Sequence, residues 1–376
     1  SALTSVSIPD SVTEIGEAAF NYCSALASVT IPDGITNIGY GTFWGCSALT
    51  SVTIPDSVTF IGNYAFYCCS SLTSVIIGNS VTNTGYSAFS GCSINDLSIC
   101  ATNWPSFSAS EVFPSSYRGL TNLVIGVDVT VIGSYAFSGC TNLTGVTIGN
   151  SVTSIGDFAF FNCALTSVTI PASVTIIGRD AFAECTGLTG VTIGNSVSSI
   201  GGGAFADCTS LASVTIPDSV TNISADAFAY CTSLTNIVIG SSVTSIGNRA
   251  FSECKSLTSV AIPASVTSIG TYAFSGCTGL TCVEIGGGVI SIGSQAFYGC
   301  SGIREVFFRA NMPSFRASSV FPDSYQSWTN LVIGGTTTNV ENSAFYGCTG
   351  LTSVKIGSGV TSIGTYAFSY CSGLID

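Results

Sequence analysis

Cysteine and carboxylate are the reactive groups this chain has to offer: 17 cysteines, 20 acidic residues and no histidine among 376 residues. Without histidine there is no Ser-His-Asp or Cys-His arrangement and no imidazole base, which removes the commonest routes to nucleophilic catalysis. A Phe-x-x-Cys signature recurs at Phe20, Phe43, Phe66, Phe89, Phe137, Phe160, Phe182, Phe205, Phe228, Phe251, Phe274, Phe297, Phe345 and Phe368; Cys68, Cys100 and Cys282 fall outside it. Zinc sites need convergent ligands at spacings such as C-x-x-C, and the one close pair, Cys68-Cys69, is vicinal. No metal, no cofactor and no catalytic residue is expected. Two readings of the repeated cysteine stay open. Stacked copies would bring neighbouring thiols within disulfide reach, and an oxidising compartment would let them pair. A buried thiol also packs as a small apolar group, and a mostly reduced structural column is the reading preferred here.

The carboxylates are spread. Asp10, Asp33 and Asp56 share one slot after proline in consecutive repeats, which suits either a weak cation ladder or ordinary turn chemistry, and the turn reading is favoured. Gly201-Gly202-Gly203 and Gly287-Gly288 match no phosphate loop. Asn142-Leu143-Thr144 and Asn222-Ile223-Ser224 fit the glycosylation pattern, which is frequent by chance in a Ser/Thr-rich chain. Only 8 basic residues stand against the 20 acidic ones, a net charge of −12, which argues against a nucleic-acid partner. The chain has no run of apolar residues long enough to span a membrane.

The elements that position these residues are short. In the repeat opening at Leu49, Val52-Thr53-Ile54 alternates as a strand with one buried face does. Pro55-Asp56-Ser57 presets a turn, Ser57-Val58-Thr59 reads as a second extended piece, and Gly62 is expected to take a φ that other residues avoid. Tyr64 to Cys69 is too short for an independent helix and reads as one helical or 3₁₀ turn that buries Phe66 and Cys69. No such unit folds alone. Its few large apolar side chains each contribute roughly 2 kcal/mol, whereas ordering its backbone costs at least roughly 1 kcal/mol per residue. Stability must come from stacking, so a solenoid is predicted.

The Phe-x-x-Cys spacing is 23 almost throughout, with one spacing of 22 and two gaps of 48. Each gap hides a degenerate rung without the cysteine, near 94–119 and 303–327. Pro105-Ser106-Phe107 matches Pro313-Ser314-Phe315, and Val112-Phe113-Pro114 matches Val320-Phe321-Pro322. Phe107 falls near an isoleucine slot and Phe113 near the phenylalanine slot. The sequence predicts 16 rungs in a single array over residues 1–376, with another opened at Leu374. Because it begins and stops inside the motif, a fragment of a longer protein or a mature chain is expected.

The motif Leu-Thr-Ser-Val-Ala-Ile-Pro-x-Ser-Val-Thr-Ser-Ile-Gly-x-x-Ala-Phe-x-x-Cys, as it stands from Leu257 to Cys277, resembles the BspA-type class of leucine-rich repeat. The resemblance implies a curved, right-handed leucine-rich repeat solenoid, with a parallel β-sheet on its concave side and 3₁₀ or helical turns opposite. It also implies a secreted or cell-surface, adhesin-like protein without catalytic residues.

A binding site must then be sought in departures from the repeat. The outward strand positions are mostly Ser or Thr early on, as at Ser28, Thr30, Ser51 and Thr53, and become Cys282, Glu284, Glu305, Phe307 and Lys355 late. Glu284, Glu305 and Phe307 are the candidate contact patch, with Arg304 and Arg309 at its rim. The loops at Trp104 and Trp328 are second candidates, although the aromatic residues of the degenerate rungs also suit a core. The leading expectation is a non-enzymatic binding module for a protein or glycan ligand. The alternative is a structural protein whose copies associate head-to-tail or laterally into a filament or coat.

Overall fold

The computed structural model describes residues 2–102, 104 and 107–374; Pro105 and Ser106, part of the expected match between the degenerate rungs, lie outside the described residues. The chain divides into two compact units, residues 1–174 and 175–376. Each is a parallel-strand solenoid whose turns are about 23 residues long.

In the first unit Ser51–Ile54, Ser74–Ile77, Asp96–Ile99, Asn122–Ile125 and Gly145–Ile148 lie side by side in chain order, all parallel. Their register is the repeat itself. Val52 pairs with Val75 and Ile54 with Ile77, so like stacks on like. Within a strand Val52 and Ile54 are buried while Ser51 and Thr53 are exposed, as the alternation predicts. A second ladder of two-residue strands joins Asn37–Ile38, Phe60–Ile61 and Asn83–Thr84. The second unit repeats both ladders. Its long strands include Ser259–Ala261, Cys282–Ile285, Glu305–Phe308, Asn330–Ile333 and Ser353–Ile356.

Three local expectations are corrected. The second strand falls at Phe60–Ile61 rather than at Ser57-Val58-Thr59. The Val58 N–H bonds the Pro55 carbonyl at 3.1 Å and keeps the chain turning through Ser57. Gly62 does not have a positive φ; a Cβ there would lie 2.8 Å from the Gly39 carbonyl carbon and the Ile38 oxygen. Its glycine serves close approach between rungs, where the Gly62 N–H donates to Ile38 at 2.7 Å. The Tyr64–Cys69 segment is not a helix. Tyr64 and Cys68 are left-handed, with φ of 57° and 58°, and the N–H groups alternate in direction. Ala65, Tyr67 and Cys69 bond three residues back within the rung, while Tyr64, Phe66 and Cys68 donate to Tyr86, Ala88 and Ser90 of the next. Every second amide thereby becomes an inter-rung bond, which a helix would forbid. The described helices, Ala109–Val112 and Ala317–Val320, and the 3₁₀ turns Tyr117–Gly119 and Tyr325–Ser327 all belong to the degenerate rungs.

The Ser and Asp that follow proline also bond between rungs. Ser57 Oγ donates to the Ile35 carbonyl at 2.6 Å, and Asp56 accepts the Asn79 N–H at 2.8 Å. Ser219 and Asp218 do the same with Val197 and Ser241 in the second unit. The Asp56 carboxylate is thus engaged with the backbone of the next rung rather than with its own turn. Threonines that precede long strands likewise spend hydroxyls on the previous rung: Thr73 donates to Thr50, and Thr281 to Thr258.

The core is a set of columns. Phe43, Phe66 and Phe89 stack at 5.2 and 5.1 Å between ring centroids, and Phe113 continues the column at 5.1 Å, so the degenerate rung fills the phenylalanine slot. Phe321 does this in the second unit, 4.5 Å from Phe297. Beside the rings runs the cysteine column, in which free thiols donate to the carbonyl of the previous rung's phenylalanine: Cys69 to Phe43 at 3.1 Å, Cys92 to Phe66 at 3.2 Å, Cys231 to Phe205 at 3.2 Å. The slot thus asks for a small apolar group with one weak donor.

Candidate partner-binding site

Parallel register sets the sequence-predicted residues in two outward columns on the long-strand face of the second unit. One runs Ala261, Glu284, Phe307, Val332, Lys355; the other runs Cys282, Glu305, Asn330, Ser353. Glu284 and Phe307 are thus direct neighbours, and Glu305 stands one column away. Phe307 and Val332 are half-buried, and Lys355 is exposed. Leaving the strand, the chain brings the Arg309 guanidinium to 3.0 Å from the Glu284 carboxylate. Its aliphatic stem lies over Gly335, whose missing Cβ would be 3.1 Å from that of Arg309. The ion pair walls a shallow groove of about 340 Å³ whose apolar floor includes Val238, Ala261 and Pro263.

Grooves of this kind belong to the fold. One runs beside Thr192, Thr215 and Asp218, another beside Thr30, Thr53 and Asp56. What is particular to the third is a cation. It combines charge of both signs with an adjacent phenyl ring, a mixture able to anchor and select a partner, whereas hydroxyls alone offer bonds in competition with water.

Arg304 does not join this patch as expected. Its Nη1 donates to the Ser301 and Ile303 carbonyls, both at 2.9 Å, which holds the guanidinium at the strand entrance. The tryptophans are also corrected. Trp328 is fully buried, edge-on to Phe321 at 5.0 Å, and Trp104 is 9% exposed, edge-on to Phe107 at 4.9 Å. Without the cysteine slot, the degenerate rungs fill their interior with large rings, so both indoles serve the core rather than an outward contact patch. Trp104 lines an apolar cavity of about 190 Å³ with Phe107, Ile132 and Phe137. The corresponding space in the second unit is only about 10 Å³, because Phe308 stands where the first unit has Ile99.

The Cys46 and Cys92 thiols are poor nucleophiles. Burial pushes the Cys46 thiol up to about 11 and that of Cys92 up to about 12. Cys282, beside the patch, is raised by desolvation and then by the Glu305 and Glu284 carboxylates. Among the described residues no group of three or more Cys, Asp and Glu side chains is placed to hold a metal ion, and no helix is long and apolar enough to cross a membrane.

A family described as BspA type leucine rich repeat region (6 copies) matches residues 1–106, 106–235, 221–324 and 317–376. The chain belongs to the BspA-type leucine-rich repeat family. A leucine-rich repeat protein from Bacteroides ovatus is 28% identical, over 99% of this chain and 73% of that one, with a TM-score of 0.51. A leucine-rich cell surface protein from Faecalibacterium prausnitzii is 27% identical, over 96% and 89%, with a TM-score of 0.40. The leucine-rich repeat protein of T. pallidum is 26% identical, over 55% and 77%, with a TM-score of 0.37. No curated protein matches.

One cluster escaped the sequence reading. Six aromatic residues between Tyr22 and Tyr86 meet on the Phe-x-x-Cys side of the first unit. They occupy four different slots of the repeat, so the period does not group them. The available signal was compositional: tyrosine and tryptophan crowd outward slots that hold Ala183, Ala206 or Ser252 elsewhere.

Proposed function

We propose that this BspA-type protein is a non-enzymatic binding module, extracellular or at the cell surface, that contacts a protein or glycan partner through Glu284, Phe307, Glu305 and Arg309. The observation that carries the reading is the Glu284–Arg309 pair at 3.0 Å standing beside Phe307 over an apolar groove. Ridges of hydroxyl and small side chains surround it, so the patch is where aromatic and charged contacts concentrate. Membership of the BspA-type family supports the surface or extracellular location. The absence of histidine from the chain supports a role outside catalysis.

The test replaces Glu284→Thr, Glu305→Ser and Phe307→Thr together, restoring the residue types of earlier rungs. Retention on immobilised host matrix proteins and cell-wall glycans should fall at least about tenfold, because losing a central aromatic anchor typically costs about 2 kcal/mol. The circular dichroism spectrum and melting temperature should stay close to those of the parent. Undiminished retention by the triple variant, or no retention of the parent chain on any of these surfaces, would defeat the proposal.

A further inference from the structure

The aromatic cluster of the first unit is continuous. Ring centroids are 6.2 Å apart for Tyr22–Trp44, 5.4 Å for Trp44–Tyr64 and 5.6 Å for Tyr64–Tyr86, one step per rung. Tyr40 and Tyr67 flank this line, 5.7 and 5.4 Å from Tyr64. Tyr22 is 68% exposed, Tyr86 72% and Tyr40 43%, and Trp44, Tyr64 and Tyr67 between them are half-buried. Tyr22 lies against the backbone of Gly45, where a Cβ would come within 2.8 Å of the ring, and Trp44 lies 3.5 Å from the corresponding point at Gly41. Glycine at position 45 leaves room for the Tyr22 ring against the next rung. The fold does not demand this arrangement, since the slots of Tyr64 and Trp44 hold Asp180 and Ala183, or Gln295 and Tyr298, in other rungs. A contiguous exposed aromatic surface that the core does not need marks an interaction site.

Charge narrows the partner. The first lysine or arginine of the chain is Arg118, so residues 1–117 offer no cation to a phosphate, a sulfate or a carboxylate. Nucleic acid, sulfated polysaccharide and acidic peptide lack their counter-charge here. Glu17, beside Gly39, is a single carboxylate at the margin and too little to select a basic peptide. The remaining partners are neutral. A polyproline segment is neutral and flat, but it returns the same face only every third residue, about 9 Å along its axis, out of step with rings 5.4 to 6.2 Å apart. A linear chain of pyranose rings presents one apolar C–H face per sugar, at a step close to one rung. Such polarised C–H groups suit the electron-rich face of an aromatic ring.

We propose that Tyr22, Trp44, Tyr64 and Tyr86, with Tyr40 and Tyr67 at their sides, form a binding column for a linear, uncharged glycan running along the stack of rungs. This surface uses residues of the first unit and shares none with the patch around Glu284.

The experiment is affinity electrophoresis of the whole chain through gels containing hydroxyethyl cellulose, xylan, laminarin or mannan, with titration of the matching hexasaccharides followed by tryptophan fluorescence. At least one neutral polymer is expected to retard the protein. The Trp44→Ala/Tyr64→Ala variant should weaken that retardation at least tenfold. Tyr86→Ser, a change at a largely exposed ring that leaves the core alone, should weaken it severalfold. Tyr298→Ala should have no effect. Failure of all four polymers to retard the chain overturns the proposal, as does retardation that survives in the double and Tyr86→Ser variants. Preferential binding of heparin, of decaproline or of a lysine-rich peptide also overturns it, and so does self-association abolished by Trp44→Ala/Tyr64→Ala in place of glycan binding.

Discussion

Raising the pH should unfold this protein through its cysteine columns. A thiol whose ordinary value is 9.0 stands at about 11 for Cys46 and about 12 for Cys92 in the folded chain, because burial disfavours the thiolate. The folded state therefore holds these protons at a pH where the unfolded chain has released them. The stability contribution is complete below pH 9 and is lost as the pH rises above it, at about 1.4 kcal/mol per pH unit for each such thiol. Near pH 10.5 the loss comes to about 2 kcal/mol for Cys46 and about 2 kcal/mol for Cys92. The two together are a large part of a typical stability of roughly 5–15 kcal/mol. Urea unfolding followed by circular dichroism at half-unit steps from pH 8 to 10.5 measures the slope. The Cys92→Ala variant should be less stable at pH 8 but show a slope shallower by about 1.4 kcal/mol per pH unit. Stability flat above pH 9 would refute the argument, since it would mean that the thiols are joined in disulfides or are open to water. The same experiment thus discriminates between the two readings of the repeated cysteine.

The phenylalanine column should behave as a chain of nearest neighbours. Phe228 stacks between Phe205 at 5.3 Å and Phe251 at 5.4 Å; Phe228→Leu keeps most of the buried volume and removes two ring contacts, for a loss of about 1–3 kcal/mol. Hydrogen exchange should rise first in the rungs on either side, and a loss under about 0.5 kcal/mol in urea would show that stacking adds nothing to burial. At the inter-rung corner, Gly62→Ala forces a Cβ against the Gly39 and Ile38 backbone and should cost about 1–3 kcal/mol. Gly16→Ala, in the same slot but with nothing within 4 Å, should be neutral, and equal melting temperatures for the two variants would exclude the steric explanation.

What the sequence by itself determined was every relation along the period. The repeat of 23 told which residues stack, because parallel register pairs each slot with its own copy, as Val52 with Val75. For the same reason Glu284 and Phe307, 23 residues apart, were legible as neighbours. Alternation told which strand residues face inward, and the missing cysteine marked the rungs that would differ. Tertiary structure decided the relations between slots, which depend on how tightly each corner turns. Arg309 reaches Glu284 from 25 residues away, around the end of a strand, and no period predicts that step. The glycine at Gly62 was read as a φ requirement because conformation is a local property, while its actual constraint is the backbone of the rung below. Trp328 is interior and Trp44 is at the surface although both are tryptophans outside the consensus, because the degenerate rung has a space to fill where a thiol is missing and the regular rung has none. The aromatic line from Tyr22 to Tyr86 exists only once four unlike slots are wound onto one side of the solenoid.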